Sequence, residues 1–451
     1  MAGQFTVKDS TKIAVIGAGP AGSLFSIMML TESRLKGINP SVTIFDSKDF
    51  KQKGPRGCNM CAGVLGRAIT SRLEGLQMDL SEVVQRTILG YFLHTPSGSL
   101  FLESSDREAD SLIYTVYRGA GPFIDDPDKP VVSFDQFLLE KAIALGARLM
   151  EKRVKEVAAP GRGLEKIEVK WDEGMEAFDV VIGAFGVNSN LLGKFAAMGF
   201  GYVPPSLWQT CQAEIRLDPE YISKRLMDMI HIFALGIEKI NYMAFTPKHH
   251  YLTATAVGKD VKRENLVKVL SHPLLKRLLN IEYDISCHCH PRLPVSSARK
   301  PFRDRVVMIG DASFSRYLKN GIESAFLTSS LAVKTMLAKG FSEDAFREIY
   351  FRQCMELFHR DNHYGRLLIN AADIVWKVPF FHRIHMEAAF EELGKSDKVL
   401  NSLLWDVLTG ETPYRDTFRR LHSAGVIKGF ARQFLKSLER KPRKNQEKLT
   451  P

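Results

Sequence analysis

Three glycines, Gly17, Gly19 and Gly22, stand at the spacing G-x-G-x-x-G. That spacing suits one piece of chemistry, the holding of a pyrophosphate. Gly17 allows a tight turn. Gly19 has no Cβ, so a phosphate can reach the backbone. Gly22 lets the following helix pack close to the strand. With Pro20 and Ala21 these residues open that helix, whose first N–H groups and partial positive charge face an anion. An acid at the end of the next strand completes the signal. Asp46, 24 residues after Gly22, closes a β-favouring run that begins at Ser41, and it is expected to hydrogen-bond an adenosine ribose. The cofactor so far is NAD, NADP or FAD.

A second set of reactive side chains is sulfur. Residues 51–66 are rich in glycine and carry Cys58 and Cys61 at C-x-x-C spacing. Three readings stand. One thiol lies beside a cofactor ring or substrate; the pair is inert packing; or it is a dithiol or half of a metal site. Two further ligands would be needed for the last. Cys287-His288-Cys289-His290 offers them, since alternate residues of a strand share a face. The plainer reading puts those cysteines inward and the histidines outward, and no metal is assigned. Cys211 and Cys354 read as buried small apolar residues.

The elements that must position these groups follow from the pattern. Residues 13–16 form a buried strand and residues 23–30 continue a helix. Residues 83–104 read as two strands around a turn at 95–98, with another strand at 112–118. Gly119-Ala120-Gly121-Pro122 repeats the opening tetrapeptide, but Asp125, Asp126 and Pro127 follow instead of a helix, so it reads as a loop. Ser133 caps a helix that ends at Gly146. Residues 153–158 and 165–171 form a hairpin, and residues 177–184 return to the parallel sheet. Strand-like runs at 212–216, 231–236, 241–245 and 251–257, then a helix from Arg263, predict a largely antiparallel sheet. A strand from Arg305 ends in Gly310-Asp311, and Gly321-Ile322 opens a helix to about Leu337. Helices are expected at 342–360, 361–377, 383–393, 397–408 and 426–441.

The fold class is therefore α/β: a Rossmann-like parallel sheet with an inserted antiparallel-sheet substrate domain and a helical C-terminal region. The dinucleotide-binding domain is divided over 8–82, 119–204 and 293–340. Residues 83–118 and 205–292 supply the substrate domain. Residues 341–451 form the helical region with a basic tail.

With 451 residues the chain is too long for one core. At 45% hydrophobic and 25% charged it is globular in composition, and no run of about 18 uninterrupted apolar residues predicts a membrane span. Lys8, Asp9 and Lys12 lead into the first strand without a signal-peptide pattern, and six cysteines then suggest a reducing compartment. The expected location is cytoplasmic. The net charge is +11, of which +6 lies from Lys428 onward, where eight Lys/Arg meet two Glu. In the last helix Phe430, Phe434 and Leu438 recur every four residues, opposite Lys428, Arg432, Lys436 and Arg440. Two readings follow: peripheral contact of residues 426–441 with an anionic membrane at its inner face, or docking on the protein with a solvated basic side. No base-reading motif accompanies the charge, so no nucleic-acid partner is expected.

Three separated pieces, Gly17 to Asp46, Asp179 to Gly186, and Gly310-Asp311 with Gly321-Ile322, together resemble FAD-dependent oxidoreductases of the aromatic-hydroxylase superfamily. Within it the chain looks most like the geranylgeranyl-reductase branch, over roughly residues 10–340. Pro55-Arg56-Gly57-Cys58 with Cys61-Ala62-Gly63 is similar to that branch's P-x-x-C-G-G loop, whose cysteine lies near the flavin. Tyr242-Met243-Ala244-Phe245-Thr246-Pro247 is similar to its Y-x-W-x-F-P segment, with Ala244 where Trp is usual.

The resemblance implies FAD, with adenosine at Asp46 and pyrophosphate at Gly17–Gly22. Asp311 would lie on the ribitol or pyrophosphate side, and Gly321 and Ile322 would face the flavin carbonyl. Ser133 replaces the arginine expected before Phe134, and Arg118 is the candidate to supply it. A reductase or dehydrogenase is implied, moving a hydride between flavin N5 and an apolar, isoprenoid or polyene skeleton. Cys58 or Cys61 would donate a proton or shape the pocket, with Tyr242 a weaker candidate. The partners would be an apolar small molecule or lipid and an external donor, NADPH or a reduced protein carrier, since no second glycine fingerprint is present. An FAD monooxygenase is the rival; Phe185-Gly186 in place of that group's Asp-Gly argues against it. An electron-transfer subunit of a larger complex is the third reading.

Overall fold

The structure is a computed structural model that describes residues 5–60, 62–104, 112–122, 131–158, 166–393 and 398–439. Its centre is a six-stranded sheet in the order Phe302–Arg303, Val306–Met308, Val180–Gly183, Lys12–Ile16, Ser41–Phe45, Arg148–Met150. Every neighbouring pair is parallel except the first. The inner strands are apolar at consecutive positions because both faces are covered. Ile13 and Val15 join a core with the helices Pro20–Leu35, Phe134–Ala144 and Gly321–Lys339. Ala14 and Ile16 face the other way, toward the three-stranded sheet of Glu156–Ala158, Ile167–Trp171 and Gly174–Phe178. The expected hairpin is there, extended by the third strand.

A seven-stranded sheet runs Ile285–Cys289, Cys211–Arg216, Tyr251–Val257, Tyr242–Pro247, Met229–Phe233, Gly90–Thr95, Gly98–Leu102. Its one parallel pair joins Met229–Phe233 to Gly90–Thr95. The two strands expected around the turn at 95–98 are Gly90–Thr95 and Gly98–Leu102, and a third strand precedes them. The chain leaves the ladder at Leu89, whose N–H donates to the Asp228 carbonyl, and the preceding strand Val84–Ile88 belongs to a separate small sheet with Ile113–Val116 and Val64–Leu65.

The helical region also differs in detail. Residues 343–377 are continuously helical, with π-helical stretches at Phe346–Phe351 and Met355–Arg360. Pro379 then begins a new helix, Pro379–Glu391, at its first turn, where a proline needs no N–H partner. Val399–Thr409 and Ala424–Glu439 lie close to expectation. Between them Tyr414–Leu421 is a helix that periodicity did not predict. Its start is tied by Asp361, whose carboxylate accepts from the Tyr414 and Arg415 N–H groups at 3.1 and 2.9 Å. No helix among the described residues is long and apolar enough to cross a membrane.

Candidate active site

The glycine turn borders a cavity of about 1130 Å³, above the ~300–1,000 Å³ usual for one small ligand. Gly17 has φ +109°, and a Cβ there would meet the Ala184 carbonyl oxygen at 2.5 Å. At Gly22 a Cβ would fall 1.9 Å from the Gly17 oxygen, so Gly22 supports the turn from beneath and does not itself line the cavity. Beside Gly19 the nearest atom to such a Cβ is 3.7 Å away, which leaves the backbone approachable. The helix from Pro20 has no side-chain cap, so its first N–H groups stay available to a ligand. Asp46 also lines the cavity; its carboxylate accepts from Ala18 N at 2.8 Å and Lys48 N at 2.9 Å. Burial raises its pKa against those two bonds.

Lys48 was not foreseen in the sequence. Its Nζ donates to the Cys58 carbonyl and to Asn59 Oδ1, each at 2.7 Å, and so fastens the glycine-rich loop to the end of the second strand. Arg118 makes a two-toothed pair with Asp135 at 2.8 and 2.9 Å. Its guanidinium comes within 3.8 Å of a Cβ placed on Gly19. The backbone explains how it arrives there. Tyr117 bridges Ser133 and accepts from Phe134 N, closing the intervening insertion at the start of the helix that Ser133 caps.

The returning strand brings Gly310, Asp311, Gly321 and Ile322 to the same cavity. Gly310 has φ +63° and donates to Thr328 Oγ1 at 2.9 Å. Asp311 Oδ1 is buried and has no hydrogen-bond partner among the described residues. Burial raises its pKa; Ser315 and Arg118 oppose that. The helix from Gly321 also lacks a side-chain cap, so a second helix N-terminus opens here. Just before it, Lys319 Nζ donates to the Val407 and Leu408 carbonyls, and Arg316 to those of Gly410 and Thr412. This loop therefore grips the end of Val399–Thr409. Burial lowers the Lys319 pKa to about 7.

Opposite lies the seven-stranded sheet. One row of cross-strand partners reads Cys289, Gln212, Thr255, Ala244, Ile232, Leu93. All six line the cavity, and the row passes from polar to apolar along its length. The intervening positions, such as Ala213, Phe245 and Ala254, turn into a core closed by the helices Arg263–Leu270 and Pro273–Leu279. A neighbouring row holds Cys287, Glu214, Thr253 and Thr246. Glu214 accepts from Thr253 Oγ1 at 2.9 Å. It faces Lys248 Nζ at 3.6 Å, and Lys248, only 1% exposed, also lies 4.3 Å from the Tyr117 ring centre. Glu214 and Lys248 carry no motif by which the sequence could announce them.

Cys58 is half-buried in the cavity wall. Burial raises its pKa most; the Met60 N–H and the charges of Lys248 and Lys48 lower it, while Glu214 raises it. Cys287 is pushed up to about 11 and Cys289 higher, chiefly by burial. All three cysteines line the cavity. Cys61 lies outside the described residues. Among the described residues no three His, Cys, Asp or Glu are grouped to hold a metal. Tyr242 lines the cavity, its phenol pushed up to about 12 by burial. Ala244, at the position where the similar motif has Trp, adds little bulk. Phe185 lines the cavity too, its ring 4.9 Å from Phe195. The far wall is apolar, built by Trp376, Leu403, Leu404 and Val407 of the C-terminal helices.

No family model and no curated protein matches this chain by sequence. Solved structures do match in fold. A geranylgeranyl bacteriochlorophyll reductase-like protein from Thermoplasma acidophilum superposes on 96% of this chain and 99% of its own, with a TM-score of 0.63 and 16% identity. A flavoprotein/dehydrogenase from Cytophaga hutchinsonii covers 95% and 100%, with a TM-score of 0.64 and 16% identity. A flavin-dependent brominase covers 95% and 100%, with a TM-score of 0.59 and 16% identity. The chain shares the overall fold of these proteins.

Proposed function

We propose that the chain is an FAD-dependent oxidoreductase, and within that class a reductase or dehydrogenase acting on an apolar carbon skeleton of the isoprenoid or polyene kind. One observation carries the reading: a single cavity runs from the uncapped glycine turn, past the unpaired Asp311 oxygen and a second uncapped helix, to an apolar wall. The residues suit FAD. A Cβ-free Gly19 leaves room for the pyrophosphate, Arg118 brings positive charge beside it, and Asp46 accepts ribose hydroxyls. Asp311 Oδ1 is an acceptor waiting for a hydroxyl donor.

When bound, FAD accepts or donates a hydride at N5. The chain supplies the rest. The N–H groups at Gly321 and Ile322, at the positive end of their helix, favour negative charge on a neighbouring ring carbonyl. Cys58 keeps its proton at neutral pH, because burial raises its pKa, and can hold or release that proton at Sγ. Tyr242 is protonated for the same reason. Trp376, Leu403 and Leu404 exclude water and orient an apolar chain. The electron donor is external, NADPH or a reduced protein carrier. Phe185 places no carboxylate where the hydroxylases have one, which favours reduction over oxygenation.

Absorbance and mass spectrometry of freshly purified protein test the cofactor. Bound FAD should bleach with a donor under anaerobic conditions and recover on adding an isoprenoid or polyene acceptor. Protein without FAD, or a flavin that reoxidises only with oxygen while hydroxylating an added aromatic, would sink the reading.

A further inference from the structure

The last helix docks part of its apolar face on the protein, as one of the two readings of its periodicity had it. Val426 is buried, and Phe430 turns inward to line the cavity, its ring 4.5 Å from His385. What stays outside is a different stripe. Ile427 is 54% and Leu435 60% exposed, with exposed Ala431 and Phe434 on the same side at i, i+4, i+7 and i+8. Phe434 packs edge-on against Phe380 at 5.8 Å, and Phe380 against Phe381 at the same distance. Through that contact the stripe continues onto exposed Phe381, Val378 and Ile374 at the junction of the helices Asp361–Lys377 and Pro379–Glu391.

Alongside the stripe, roughly 100–180° round the helix axis from Ile427, run Lys428, Arg432 and Lys436. Lys428 and Arg432 are exposed, and Lys436 reaches Glu391 at 2.8 Å. Exposed Lys377 and Arg383 flank the junction. Contiguous apolar side chains edged by cations, on a helix with its third side docked, have the shape and charge of an interfacial anchor. A solvated helix side would not expose Ile, Leu and Phe together. Trp376 and Phe430 line the cavity from these same helices, so the exposed stripe borders its apolar end.

We infer that this stripe docks on an anionic lipid surface, with Ile427, Phe434 and Leu435 in the acyl boundary and Lys428 and Arg432 against headgroup phosphates. The apolar end of the cavity then opens at the bilayer. The docking is independent of what reaction the chain carries out, since vesicle binding requires neither donor nor acceptor. The experiment is co-sedimentation of the full-length protein with phosphatidylcholine vesicles containing about a third phosphatidylglycerol, and with phosphatidylcholine alone. The protein should sediment with the anionic vesicles and be released by high salt. Lys428→Ala and Arg432→Ala should each weaken binding about fivefold. Ile427→Glu with Leu435→Glu should weaken it at least about tenfold, with flavin content and circular dichroism unchanged. Wild-type protein left in the supernatant would overturn the inference, as would an Ile427→Glu/Leu435→Glu variant that sediments normally. So would a concentration-dependent dimer abolished by Ile427→Glu without any vesicle binding, which would assign the stripe to a second copy.

Discussion

At the glycine turn the groups facing the cavity are mostly backbone: the N–H groups of an uncapped helix and a Gly19 with nothing on its Cα. Across the cavity, on the seven-stranded sheet, they are side chains: Gln212 and Glu214 of one strand, Thr255 of its neighbour and Lys248 of the loop before that neighbour, brought side by side by register. The first region tolerates almost no change of shape at its glycines, yet its chemistry would be the same for any dinucleotide. The second tolerates change in shape better and has chemistry particular to this chain. On the proposed function, cofactor capture and substrate choice fall to different kinds of structure, and each should break without the other.

The largest effect is expected in the first region. Gly22→Ala puts a methyl 1.9 Å from the Gly17 oxygen, which backbone cannot yield to cheaply. FAD binding should fall at least about a hundredfold, and stability by about 1–3 kcal/mol, as overpacking does. Fluorescence titration with FAD and calorimetry measure the two. Unchanged FAD affinity would mean that the turn is not the cofactor site.

In the second region, Glu214→Gln leaves the buried Lys248 ammonium without its counter-charge. A loss of about 3 kcal/mol in unfolding free energy is expected, against a much smaller loss for Glu214→Leu with Lys248→Met, which removes the pair together. A denaturant series on the two variants decides it. If both lose the same, the pair is not a coupled unit.

A third test uses pH. His94 Nε2 lies 2.8 Å from His231 Nδ1 beneath the parallel pair of that sheet. Burial, then the neighbouring ring, lowers His94 to about 3; burial lowers His231 to about 4. Both are neutral in the fold, while the unfolded chain protonates them near 6.5. The unfolded state therefore binds more protons below pH 6.5, and stability falls as pH drops from 6.5 toward 4, by up to about 1.4 kcal/mol per unit for each ring. Melting curves between pH 7 and 4.5 should show that slope, and His94→Phe with His231→Phe should flatten it.

The smallest effect sharpens the comparison by its absence. Ala244→Trp narrows the cavity between Thr255 and Ile232 and should leave FAD affinity within about twofold while changing which acceptors reoxidise the flavin. A large drop in FAD affinity would show that the two regions are not separable.

Much of the glycine-turn end of the cavity was legible because it is local. Strand, turn and helix occur within residues 12–35, and glycine spacing is read from neighbours alone. Ser133 was legible as a cap for the same reason. Arg118 was harder, since an insertion separates it from the helix it serves; the Tyr117–Ser133 bridge and the ion pair with Asp135 bring them together. The helix Tyr414–Leu421 escaped notice because its start is satisfied by Asp361, a side chain far back in the chain. On the last helix the docking reading fits Phe430, which lines the cavity while Lys428 and Arg432 stay exposed; the exposed Ile427 and Leu435 lie outside the four-residue period of Phe430, Phe434 and Leu438.

By itself the sequence determined the class of architecture, the glycine turn between the first strand and helix and the acid that ends the second strand, because glycine spacing and apolar runs act through the nearest residues. Tertiary structure alone decided that the Gly90–Thr95 strand joins a sheet with residues more than a hundred positions later. It set Glu214 against Lys248, brought Cys58, Cys287 and Cys289 to the wall of one cavity, and turned Ile427 and Leu435 outward. Those outcomes depend on register and packing, and the energy that selects them is burial shared among segments distant in sequence, which no single segment carries.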